Sequence, residues 1–290
     1  MTDNAPKPGT GRLGRAPRDQ PAFTWREVRA FARSDFARRL AVLLAGVLAG
    51  VILIKVMNQP GGLPAATSGL LRADTTPLSP ARYAHLIWVP ALVLVLCYVV
   101  WVWLPFSLRS RRVAVTAYPA TAAILLMSAW LWAIEAGKLR LSVVLVIAAW
   151  TALVVTLAQS SRSQAVGIID RQVSQLPYAV LLGWMTVMGA ANLAVIARVW
   201  GFRPWQVPPE TWWVMGVVAV LAVAMALVRY LPGRLFIGGA VAWGLFAVAY
   251  GRLLGQPRAY LVGVACVVSA LLILAAALAV LAWFRSRNRH

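Results

Sequence analysis

Few side chains in this sequence could do chemistry, and most of those lie in or beside apolar runs. Asn192 falls inside the uncharged stretch Leu176 to Ala197, LPYAVLLGWMTVMGAANLAVIA, with Pro177, Gly183, Trp184 and Thr186. The stretch is long enough to cross a bilayer, and an unsatisfied amide in hydrocarbon costs several kcal/mol. Asn192 is therefore expected to face other helices or a bound molecule. His85 stands two residues after Tyr83 at the start of another apolar run. Its neutral imidazole could ligate haem iron or hydrogen-bond a propionate, or it could make a simple polar contact. Arg72 and Arg82, on either side of the same mouth, could pair with carboxylates or snorkel toward headgroups.

Indoles are the third resource. Of the 14 Trp, Trp200, Trp205, Trp212, Trp213 and Trp283 sit at the ends of apolar runs, where an interfacial aromatic belt is expected. Trp88, Trp130, Trp132, Trp150, Trp184 and Trp243 lie deeper, where indoles stack well on a flat aromatic molecule or simply fill a core. Glu135, Asp170 and Glu210 fall at the ends of runs or in loops, so the usual proton relay of a pump is lacking. No metal-ligand cluster, Ser/His/Asp set, carboxylate pair or phosphate cradle is visible, and an enzyme is not expected.

The elements that must position these residues are set by composition. The chain is 61% hydrophobic and 12% charged, with a mean hydropathy of +0.75, which excludes a water-soluble domain for most of its 290 residues. Eight apolar spans are predicted, at 40–57, 84–106, 113–134, 141–158, 176–199, 212–230, 235–252 and 259–284. Each approaches the ~20 residues that a membrane-crossing helix needs, and the short alternating segments of a barrel are missing. The predicted class is an all-α integral membrane bundle.

A net charge of +20 on a soluble surface would suggest nucleic acid, but these basic residues lie between spans. About two thirds of the 28 Lys and Arg fall at the N-terminus, in the loops after the second, fourth and sixth spans, and in the C-tail. The positive-inside rule then makes both termini cytoplasmic. Residues 1–22 read as a disordered basic tail, and the first span as a signal anchor. Residues 23–39, with Thr24 and Glu27 at capping-box spacing, read either as an amphipathic interfacial helix meeting lipid headgroups or as a solvated lead-in to the first span. Cys97 and Cys266 lie within spans and are expected to be free thiols. The longest connection, from Asn58 to Pro80, reads either as a lid or as a flexible loop. Gly46 and Gly50 form a GxxxG pair that would allow close helix contact.

Pro80, Tyr83 and Trp88 in the second span, and Pro177, Tyr178, Trp184 and Asn192 in the fifth, together resemble the tryptophan-rich sensory protein family, related to the mitochondrial translocator protein. In the third span the family's Trp stands at Trp130, but its Asn position is Met127; a Tyr common after the second-span Trp is Leu92. The resemblance covers residues 40–200 as a five-helix unit. Residues 201–290, with Ala242-Trp243-Gly-Leu, look like the three further spans and basic tail of longer bacterial members. It implies a receptor, sensor or carrier that binds a hydrophobic, tetrapyrrole-like ligand between the first five spans. Trp88, Tyr83, His85, Trp130, Tyr178, Trp184, Asn192, Arg72 and Arg82 would line that site. Porphyrin or haem would be a ligand rather than a resident cofactor. Met127 and Leu92 strip polar groups from the cavity and favour a more apolar ligand, sterol-like or carotenoid. The other classes of reading are a solute transporter and an accessory subunit of a membrane complex. The partners expected are membrane lipid and a hydrophobic small molecule, with a homodimer allowed and nucleic acid excluded.

Overall fold

The computed structural model describes residues 25–58, 72–104, 107, 110–165, 167–201, 209–256 and 258–287. The tail expected over 1–22 lies outside the described residues, as does most of the 58–80 connection before residue 72. The chain divides into two units, Met1–Phe36 and Ala37–His290, and the second carries the helical bundle.

The helices are α1 (Trp25–Met57), α2 (Trp88–Trp103), α3 (Arg111–Glu135), α4 (Leu139–Arg162), the short α5 (Ile168–Val173), α6 (Leu176–Val199), α7 (Pro209–Tyr230), α8 (Arg234–Leu253) and α9 (Tyr260–Arg287). A 3-10 turn, Arg82–Ile87, leads into α2. No strand occurs among the described residues. Among the described residues, eight stretches are long and apolar enough to cross a membrane, and they coincide with the eight expected spans; α5 and α6 together make the fifth. The protein is a multi-pass, all-α membrane protein. Residues 25–39 form the opening part of α1, which runs on to Met57 because no proline interrupts it.

Local chemistry explains the helix ends. Ser110 caps α3, its hydroxyl accepting from the Val113 N–H at 3.2 Å. Pro177 sits in the first turn of α6, where its missing N–H costs nothing. The α7–α8 turn requires Gly233: its φ is +76°, and a Cβ there would lie 2.7 Å from Ala179.

α6 is the central helix, with 78% of its most apolar window buried, and α2, α4, α7 and α8 all lie against it. It meets α8 through two glycines. A Cβ on Gly183 would strike the Ile237 backbone carbonyl, and one on Gly244 of α8 would lie 2.8 Å from Val187 of α6. Small residues let membrane helices approach closely, which replaces the hydrophobic driving force that lipid removes. Of the GxxxG pair only Gly46 is used, against Val99 of α2, while Gly50 faces open space. One continuous apolar core includes residues from the first five spans and the last three.

Candidate ligand-binding site

The structure brings three of the expected site residues together. Trp184 of α6 is buried, with His85 edge-on at 5.7 Å between centroids and Trp88 edge-on at 6.3 Å. Such T-shaped contacts suit rings whose edges are positive and faces negative. The void beside this cluster is about 50 Å³, bounded by Trp88, Leu92, Met127 and Leu181. That is room for a water or two, far below the ~300 Å³ at which ligand pockets begin. Leu92 and Met127 occupy the places where the resemblance has polar groups, and the interior of the first five spans is close-packed around them.

The other expected residues disperse. Tyr83 is about one-third exposed and turns toward α8, edge-on to Trp243 at 5.7 Å and to Tyr250 at 5.4 Å. Trp243 fixes the 3-10 turn by donating its indole N–H to the Ala84 carbonyl at 3.0 Å. Trp130 is fully buried in α3. Tyr178 lies in the first turn of α6, edge-on to Tyr98 at 5.2 Å. Asn192 is buried, and both its Oδ1 and its Nδ2 lie 3.2 Å from the Ser142 hydroxyl of α4. Arg82 is exposed, and Arg72 forms an exposed ion pair with Asp74 at 3.3 Å.

A larger space opens on the other side of α6. A cleft of about 920 Å³ has α6 as its floor and α4 and α7 as its walls. The two walls both rest on α6 but scarcely touch each other. Small residues make the room: Gly189, Ala190, Ala194 and Ala197 on α6 face Gly216 and Ala219 on α7. Three indoles, Trp150, Trp212 and Trp213, line it. Two polar groups of its wall and floor are bonded to each other, since the Trp150 N–H donates to the Thr186 hydroxyl at 3.0 Å, which donates to the Leu182 carbonyl at 2.8 Å. An apolar body can lie there without breaking either bond.

Residues 72–81 roof one end of the cleft, with Asp74, Pro77 and Leu78 facing in. Arg198 of α6 donates to the Thr75 carbonyl, and buried Arg252 of α8 donates to the Ala73 carbonyl. The Thr76 and Ser79 hydroxyls bond at 2.9 Å, and the Ala81 N–H donates to the Ala247 carbonyl at 3.2 Å. Charge concentrates at this end: Arg198, Asp74 and, through Asp74, Arg72.

Asp170, an acid at the end of a run or in a loop by sequence, is buried at the opposite end of the bundle. Its carboxylate accepts from the Ser110 hydroxyl at 3.0 Å and the Trp101 indole at 3.0 Å, beside the N-terminus of α3, where negative charge is favoured. Trp212 and Trp213, read as belt residues, and Trp150 are the indoles at the cleft. The spacing that could have revealed it is the four-residue recurrence of small side chains at Ala190 and Ala194 in α6, opposite Gly216 and Ala219 in α7.

The described residues form an eight-span helical membrane bundle with an apolar, roofed cleft on its central helix. A family model described as TSPO-like protein matches residues 41–280, and the chain belongs to that family. The match extends through α7, α8 and most of α9, so the last three spans are part of the family unit. No curated protein and no solved structure matched the chain.

Proposed function

We propose that this TSPO-like protein is a receptor or carrier, not an enzyme, that takes a hydrophobic, tetrapyrrole-like ligand into the cleft between α4, α6 and α7. The cleft itself carries the reading: about 920 Å³ of apolar space with three indoles and an arginine at its roofed end. A planar ligand would lie on the indoles, with its carboxylates toward Arg198 and Arg72. This differs from the site that the resemblance implies, because Trp88 and Trp184 are committed to the core. The basic asymmetry of the connections supports a cytoplasmic membrane with both termini inside.

Titrating purified protein with protoporphyrin tests the proposal. Indole emission should fall saturably, with affinity near micromolar, about −8 kcal/mol. Trp150→Leu and Trp212→Leu should each weaken binding by about tenfold, as loss of a stacked aromatic with its buried area predicts. Linear quenching that neither substitution alters is partition into the micelle and sinks the proposal. A sterol-like competitor that displaces protoporphyrin identifies a more apolar ligand class for the same cleft.

A further inference from the structure

We infer that the ligand reaches the cleft sideways from the lipid, between α4 and α7, while the 72–81 roof stays closed. The inference rests on the reading of the cleft as a ligand site. Three observations point the same way. First, α4 and α7 do not close on each other, so the long side of the cleft is open where the helices cross the membrane. Second, the residues at that opening are apolar and exposed, Ile147 on α4 by 54%, Leu193 on α6 by 49% and Val223 on α7 by 37%, as a surface in contact with acyl chains should be. Third, the end of the cleft is covered by a segment tied down at both ends. Arg252 holds the Ala73 carbonyl, Arg198 holds the Thr75 carbonyl, and the Ala81 N–H is bonded to Ala247 of α8. Leu78 fits against Gly216, where a Cβ would lie only 2.8 Å from its side chain.

The occupant this geometry selects is an amphiphile already dissolved in the bilayer. Its flat apolar body slides between the walls, and its acidic edge comes to rest beneath the roof near Arg198. Access through the roof would instead demand release of these backbone contacts at each binding event. A side portal sets a kinetic signature: narrowing it slows arrival and departure alike and leaves the affinity nearly unchanged, because the seated ligand keeps its contacts.

The test uses full-length protein in liposomes mixed rapidly with protoporphyrin-loaded vesicles, with indole quenching as the readout. Ile147→Trp and Val223→Trp should slow association and dissociation together by about tenfold, with Kd changed less than about threefold. Ser79→Ala, which loosens the roof by removing its bond to Thr76, should leave both rates at the wild-type value. Wild-type rates in both portal variants overturn the inference, as do faster rates in Ser79→Ala or a loss of affinity without matched slowing. A second measurement needs no portal variant. In brominated-chain lipid, Trp150→Phe should remove a measurable share of the lipid quenching, and no change means that acyl chains do not reach the cleft. Non-saturable binding by the wild-type protein is a different result: it is the cleft that then fails as a ligand site.

Discussion

Trp184 of α6 and Trp88 of α2 meet edge to face with centroids 6.3 Å apart, both almost wholly buried, and so join the two helices instead of lining an open cavity between them. Trp184→Ala should therefore act on stability first. Truncating a buried Trp costs about 3–5 kcal/mol, and the thermal midpoint of the purified protein should drop accordingly. Trp184→Phe should retain most of the stability and bind protoporphyrin as the wild type does. Loss of binding in a stable Trp184→Phe protein would return the ligand to the first five spans.

The α6–α8 contact depends on glycine. A Cβ on Gly183 would meet the Ile237 carbonyl, which is backbone and cannot rotate away, and would lie 2.8 Å from Ala240. Gly183→Ala should cost about 1–3 kcal/mol by overpacking. Gly50→Ala, where nothing lies within 4 Å, is the control and should be neutral or stabilising by up to about 1 kcal/mol. Equal midpoints for the two variants would mean that α6 and α8 are not in close contact.

Asn192 and Ser142 should be coupled. Polar pairs between membrane helices average about 0.6 kcal/mol, since alternative partners exist in the less folded state. A double-mutant cycle with Asn192→Leu and Ser142→Ala, followed by unfolding in a strong detergent, should return an interaction energy of that order. Strict additivity would show that the bond between α4 and α6 contributes nothing.

Asp170 is the acid whose removal should harm the fold most. Asp170→Ala leaves the buried Ser110 hydroxyl and the half-buried Trp101 indole without their carboxylate, at about 1–3 kcal/mol for the hydroxyl and less for the indole. Thermal midpoints should fall for Asp170→Ala and stay within about 2 °C of wild type for Glu210→Ala, which lies on the exposed first turn of α7. A silent Asp170→Ala would exclude a structural role for this cluster.

Eight spans return the chain to the side from which the first span starts. With the basic connections on that side, a reporter fused after His290 should be active only in the cytoplasm. Periplasmic activity would overturn the orientation.

The number, type and approximate limits of the spans were legible because each is a local property: an uncharged run of the right length must be helical in lipid, where every backbone group needs an internal partner. The family was legible for the same reason, since Pro177, Tyr178, Trp184 and Asn192 sit at fixed spacing on one helix. That Asn192 needs a polar partner also followed from its surroundings alone; that the partner is Ser142, 50 residues away, did not. The location of the open space was a tertiary decision. Whether an indole lines a cavity or fills a core depends on the volumes of residues facing it from other helices, and no single span records them. Leu92 and Met127 close the space beside Trp88, while Gly189, Ala190, Gly216 and Ala219 open it beside Trp150 and Trp212. The burial of Asp170 and Arg252 likewise arose only when helix ends distant in sequence came together and supplied the partners that make a buried charge tolerable.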